Sequence, residues 1–229
     1  MREALAFDMY GTLVDPISVR RRLEETVGDA AAAVAEQWRS KQLEYTFRLT
    51  AMGRYLDFAE VTARGLDYAL LATGQTIDET QRQELLAEYQ RLAPYPDTVG
   101  GLRRLAAAGH PMVVFSNGTP AMLDALLDTT GLRELVPEAV SVDEVRAYKP
   151  APAVYRHLTE RLGHPPEQVM LVSSNPFDIV GATAAGLRAA WCNRSGGVFD
   201  TLGDPPDIVV DTLEELADAL TRARETDRG

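Results

Sequence analysis

Apolar residues along the chain follow two different rhythms. The first is a short continuous run, Ala4–Leu5–Ala6–Phe7, which stops at Asp8 and is followed by Gly11. A run of that length ending at a flexible residue predicts a buried strand that gives way to a sharp loop. From about Ser18 to Leu92 the spacing becomes helical in stretches rich in Ala, Leu, Glu, Gln and Arg, as over 30–47 and 79–92. Gly53, Gly65 and Gly74 are expected to punctuate this helical block. Pro94–Tyr95–Pro96 closes it, because proline cannot continue a helix and restricts the residue before it.

After Pro96 strands and helices alternate. The pattern predicts helices over 97–108, 122–128, 153–162, 178–185 and 213–224, and strands over 112–115, 139–141, 169–172, 189–192 and 208–210. Such alternation specifies an α/β fold, a doubly wound, mostly parallel sheet covered by helices on both faces. The helical block then reads as an insertion after the first strand: residues 1–15 and 96–229 form the α/β core and residues 16–95 the insertion. No tandem repeat is visible, and only Glu225–Gly229 is expected to fray.

Composition narrows the function classes. Of 229 residues, 45% are hydrophobic and 25% charged, ordinary values for a chain with a substantial core. A formal charge of −11 argues against nucleic acid as a partner, since phosphate binding needs clustered Lys and Arg. One small anion can still be held by a few local cations and backbone N–H groups. Cys192 is the only cysteine, so no intramolecular disulfide forms and a reduced, cytoplasmic setting is expected. The amino terminus enters the first strand without a leader-like segment, and no apolar run is long enough for a bilayer, so no membrane association is expected.

In an open parallel sheet, ligands bind beyond the carboxyl ends of the strands. Polar residues fall in those places: Asp8 after the first strand, Ser116 and Asn117 after the second, Lys149 before a helix, and Ser173, Ser174, Asn175 and Asp178 after the strand ending at Val172. Singly, each has an ordinary reading as a cap, a turn or an exposed loop residue. Together they make a site suited to covalent catalysis by a carboxylate, with Lys149 keeping Asp8 ionised.

The residues then become recognisable. Phe7–Asp8–Met9–Tyr10–Gly11–Thr12–Leu13, Phe115–Ser116–Asn117–Gly118, Tyr148–Lys149–Pro150 and Ser173–Ser174–Asn175–Pro176–Phe177–Asp178 resemble, in order, the four motifs of the haloacid dehalogenase superfamily. Trp38–Arg39–Ser40–Lys41–Gln42–Leu43–Glu44–Tyr45 is similar to a signature of the L-2-haloacid dehalogenases within it. The resemblance implies a Rossmann-like core with the helical block as a cap, a homodimer, and no cofactor or metal. It implies hydrolysis of a short L-2-haloacid to a 2-hydroxy acid with inversion, Asp8 being the nucleophile that forms an ester with the substrate. Arg39 and Asn117 would receive the halide, and Ser116 the substrate carboxylate. Tyr10, Leu43, Phe58 and Phe177 would line the alkyl pocket. Lys149 would stabilise charge around Asp8, while Thr12, Ser173, Asn175 and Asp178 orient Asp8, Lys149 and the hydrolytic water. Asp178 is the better candidate for activating that water, with anchoring of Lys149 as the alternative, and Tyr155 either orients neighbours or packs.

The rival within the superfamily is a magnesium-dependent phosphatase, which needs a second aspartate two residues after the nucleophile, where this chain has Tyr10. Asp8 and Asp178 would still offer magnesium two carboxylates. A non-catalytic module is disfavoured, because a retired site has no physical need for so many polar groups that require partners. Trp38, Tyr45 and Phe47 read as cap packing or dimer contact, His110, His157 and His164 lie outside the motif loops, and Cys192 reads as a buried structural thiol. Ser40 and Phe177 replace an expected glutamine and tryptophan, which bears on chain-length and halogen preference.

Overall fold

The computed structural model describes residues 2–226. Strand β1 (Ala4–Phe7) is wholly buried and runs parallel to β2 (Met112–Ser116) on one side and β4 (Val169–Ser173) on the other. With β3 (Ala139–Ser141), β5 (Arg188–Cys192) and β6 (Ile208–Val210) they form one six-stranded sheet of order β3-β2-β1-β4-β5-β6, every pairing parallel. The chain builds outward from β1 to β3, then crosses back to lay β4 against β1. The direction of winding therefore reverses beside β1, and a ligand crevice is expected at that point, outside the carboxyl ends of β1 and β4.

Between β1 and β2 the chain forms α1 (Arg20–Val27), α2 (Ala31–Ala51), α3 (Phe58–Ala72), α4 (Glu79–Glu88) and α5 (Thr98–Ala107). The remaining helices are α6 (Pro120–Thr130), α7 (Pro152–Leu162), α8 (Pro176–Ala184) and α9 (Leu213–Thr226). Local chemistry sets several of the ends. Asp78 and Gln81 form a reciprocal capping box on α4, and Thr119 accepts from Met122 N before Pro120 opens α6. In the sheet layers α5 packs with α9 and α7 with α8.

Four expectations change. The helix read over 30–47 runs on to Ala51, while the one read over 79–92 stops at Glu88. Gly65 does not interrupt the block but lies inside α3. A β-carbon there would meet Trp38 Cδ1 at 3.2 Å and Gln42 N at 3.4 Å, so the glycine serves close approach of α2 and α3 rather than a break. Helix α9 extends two residues into the segment expected to fray, whose remainder from Asp227 lies outside the described residues.

Candidate active site

Asp8 is the first residue after β1, and its backbone N–H still donates to Val172 O at 3.0 Å, so the sheet itself fixes its position at the winding reversal. The two oxygens of its buried carboxylate are occupied unequally. Oδ2 accepts from Asn175 Nδ2 at 2.7 Å, Thr12 Oγ1 at 3.1 Å and Ser173 Oγ at 3.4 Å. Among the described residues Oδ1 accepts only from Lys149 Nζ, at 3.2 Å. Thr12 comes from the turn after β1, Ser173 from the end of β4 and Asn175 from the cap position of α8, so three separate backbone positions converge on one oxygen.

Lys149, in the loop before α7, is 1% exposed. Its ammonium uses its donors on Asp178 Oδ2 at 2.7 Å, Phe115 O at 2.8 Å and Asp8 Oδ1. Asp178, in the first turn of α8, is fully buried, and its other oxygen accepts from Tyr155 OH at 2.8 Å. Burial pushes the Asp178 carboxyl above the usual carboxylate range, opposed by Lys149 and reinforced by the Asp8 charge. Tyr155 thus orients a neighbour as well as packing, for its ring lies edge-on to Phe115.

Gly11 has φ +89°, a conformation that suits glycine, and a β-carbon there would stand 3.4 Å from Asn175 Nδ2 and 3.7 Å from the Arg39 guanidinium. The tight turn therefore brings Arg39, from the middle of α2, against Tyr10 O at 3.3 Å and Asn175 Oδ1 at 3.4 Å. Asn117 accepts from Lys149 N at 3.1 Å through Oδ1, leaving Nδ2 as a donor. Tyr10 and Phe58 meet at 5.2 Å between ring centroids, and the Tyr10 hydroxyl is buried without a hydrogen-bond partner among the described residues.

The other expected residues make local contacts. Ser116 is fully buried and its Oγ accepts from Gly118 N at 3.2 Å, so it stabilises its own turn. Leu43 lies one turn beyond Arg39, half-buried, and Phe177 packs edge-on to Phe47 at 5.1 Å, joining α8 to α2. Trp38 packs on Tyr89 at 4.8 Å, consistent with a packing role.

Several participants were not singled out from the sequence. Arg194 follows β5, and its guanidinium grips both oxygens of Asp97 at 2.8 Å while NH1 donates to Ser174 Oγ at 3.1 Å. Ser174 N in turn donates to Thr12 Oγ1 at 2.9 Å, which tethers the loop after β4 to a second loop. The signal was available, since Arg194 lies just beyond a strand's carboxyl end, as Asp8 and Ser174 do. Thr62 was not singled out, and Gln42 stood in the Trp38–Tyr45 signature with no role of its own; both are buried, and each sits within an ordinary helical pattern.

A family model for haloacid dehalogenase-like hydrolases matches residues 3–186. The haloacetate dehalogenase H-2 of Moraxella sp. (strain B) is 38% identical over 214 residues, covering 93% of this chain and 96% of the relative. The (S)-2-haloacid dehalogenase H-109 of Pseudomonas putida is 38% identical over 218 residues, covering 95% and 97%. The chain belongs to the L-2-haloacid dehalogenase family of the haloacid dehalogenase-like hydrolases. Among solved structures, the L-2-haloacid dehalogenase from Xanthobacter autotrophicus with chloropropionic acid covalently bound superimposes with a TM-score of 0.89. It is 34% identical, over 96% of this chain and 99% of that one. In this L-2-haloacid dehalogenase family member, the parallel sheet and the α2–α3 helices bring the motif residues around a single carboxylate.

Proposed function

We propose that the chain hydrolyses short L-2-haloalkanoic acids to 2-hydroxy acids, with inversion at C2, through an ester formed on Asp8. The unequal occupation of the Asp8 oxygens carries this reading. Oδ2 is saturated by Asn175, Thr12 and Ser173, so the lone pairs free to attack belong to Oδ1. Oδ1 bonds to C2 from the face opposite the halogen while the carbon–halogen bond breaks and the halide leaves with its electron pair. Arg39 and the free Nδ2 of Asn117 receive that charge, and preorganised donors act most strongly where charge develops.

In the ester, Oδ2 is the carbonyl oxygen. Water adds to the Asp8 carboxyl carbon, and Asn175, Thr12 and Ser173 hold the oxyanion that forms on Oδ2. The bond from that carbon to Oδ1 then breaks, so the enzyme's own oxygen departs as the product hydroxyl. The net change consumes one water and releases one halide and one proton. Asp178 acts as the anchor of Lys149, since both of its oxygens are already engaged. Tyr10 and Phe58 form the apolar wall against which the alkyl chain rests.

The same engagement supports a metal-independent reaction over a magnesium-dependent phosphatase, because Asp178 has Lys149 and Tyr155 on its oxygens and Tyr10 replaces the second aspartate. We further read residues 16–95 as the cap and the enzyme as a cytoplasmic homodimer. No helix among the described residues is long and apolar enough to cross a membrane. Support for the dimer is an apolar groove of about 530 Å³ on α2 and α3, away from Asp8, edged by the exposed Met52 and Leu71.

The test is halide release from L- and D-2-chloropropionate with EDTA present, for wild type and Asp8→Asn. Release from the L form alone, lost in Asp8→Asn, is the expected result. Phosphate release from an aryl phosphate that requires magnesium, without halide release, would overturn the reading.

A further inference from the structure

Arg39 brings a positive charge to the site, yet its hydrogen-bond acceptors, Gln42 Oε1 at 2.9 Å, Tyr10 O at 3.3 Å and Asn175 Oδ1 at 3.4 Å, are all neutral. The bond to Gln42 is the shortest of these, and it anchors the guanidinium to its own helix one turn on. Gln42 is itself fully buried between α2 and α3, where an amide is tolerated only if its polar atoms are paired. Its Nε2 donates to Thr62 Oγ1 at 2.6 Å, and Thr62 Oγ1 donates to Phe58 O at 2.6 Å.

The direction of this chain follows from proton counting. The Thr62 hydroxyl has one proton, committed to Phe58 O, so toward Gln42 it acts as acceptor. It must therefore face the amide nitrogen, which turns Oε1 toward Arg39. Trp38 Nε1, donating to Thr62 O at 2.8 Å, and the close approach at Gly65 hold the two helices in that relation.

We infer that Gln42, oriented by Thr62, is a positioning residue for Arg39: it holds the guanidinium at the site with a neutral acceptor and so leaves the cation's charge available to an anion. A glutamate at this position would bind Arg39 more strongly, but it would place a negative charge where the arriving anion needs a positive one. The inference rests on the reading of Arg39 as the halide acceptor in dehalogenation.

The test compares chloride release from L-2-chloropropionate, and its inhibition by added sodium chloride, for wild type, Gln42→Glu, Gln42→Met, Thr62→Val and Thr62→Ser. Thermal unfolding is followed in parallel. Gln42→Glu is expected to lower kcat by about 10-fold or more, with a smaller change in KM, and to weaken chloride inhibition. Gln42→Met and Thr62→Val should lose kcat as well, and Thr62→Ser, which keeps the hydroxyl, should stay within about twofold of wild type. Gln42→Glu with kcat and chloride inhibition within about twofold of wild type overturns the inference. So do losses that only track lowered thermal stability, with Thr62→Ser no better than Thr62→Val. A folded wild type that releases no halide refutes the dehalogenase reading itself, and the inference with it.

Discussion

Lys149 Nζ lies 2.7 Å from Asp178 Oδ2 but 3.2 Å from Asp8 Oδ1, so the buried ammonium is anchored more closely to Asp178 than to the proposed nucleophile. On the proposed reading, Asp178 shares the lysine's charge and so leaves the Asp8 lone pairs able to attack. In Asp178→Asn, Lys149 retains Asp8 as its only carboxylate partner among the described residues. Stability should fall by about 3 kcal/mol, read from urea denaturation, as expected on breaking a buried ion pair. If Asp178 is an anchor, the variant is slow in forming the ester. Accumulation of the ester in Asp178→Asn, seen by intact-protein mass, would show instead that Asp178 serves the water.

The origin of the product hydroxyl tests the role of Oδ1. In a single turnover in heavy-oxygen water, with enzyme in excess, the label should enter Asp8 and be absent from the 2-hydroxy acid. Label in the product of the first turnover would mean that water attacks C2 directly, and Asp8 would then be a base.

Gly11→Ala should separate geometry from stability. Its φ of +89° makes any β-carbon strained, at a cost of about 1–2 kcal/mol, and a turn that relaxes to relieve that strain moves against Asn175 Nδ2, which the added methyl would already touch at 3.4 Å. Because Asn175 makes the 2.7 Å bond to Asp8 Oδ2, kcat should drop by at least about 10-fold in protein that remains folded. Wild-type kcat in a variant with lowered melting temperature would show that the Asn175 contact is not needed.

Arg194→Met tests the tether behind the site. Burial alone would raise the Asp97 carboxyl, but the Arg194 fork and the Leu213 N–H outweigh it and hold Asp97 below its ordinary 3.8. A depressed carboxylate contributes stability above its unfolded pKa and loses it as pH falls through the lower folded value. The variant should lose on the order of 2 kcal/mol at neutral pH, and its acid unfolding should begin at higher pH than in wild type. Urea midpoints measured across that range check both outcomes.

Alkaline pH should unfold the protein steeply. Burial raises the hydroxyls of Tyr10, Tyr55, Tyr89, Tyr95, Tyr148 and Tyr155 above the ordinary 10.0, with Tyr89 and Tyr95 reaching about 12. Between the unfolded and folded values the native state binds more protons, so stability falls with pH, by up to about 1.4 kcal/mol per pH unit for each group. Tyrosinate absorbance should therefore rise in step with loss of the folded signal. Early ionisation of these tyrosines in intact protein would count against their burial.

The strands and the loops that end them were legible because a buried parallel strand is a local apolar run, and Asp8, Ser116, Ser173 and Asn175 fall where such runs stop. Gly65 misled for a related reason. Sequence spacing reports a residue's own helix, whereas Gly65 is required by Trp38 on a different one.

By itself the sequence determined the parallel α/β architecture, the helical insertion after β1 and the motif residues that gather around Asp8, since apolar periodicity and the order of short motifs are written along the chain. Tertiary structure alone decided how hydrogen bonds divide between the two Asp8 oxygens, that Ser116 Oγ accepts from Gly118 N, that Gln42 and Thr62 bond in series behind Arg39, and that Arg194 ties Ser174 to Asp97. Those outcomes depend on the order of strands in the sheet and on how α2 lies against α3 and the loop after β1. Neighbours along the chain constrain neither, because a hydrogen bond is set by distances and angles in space rather than by separation in sequence.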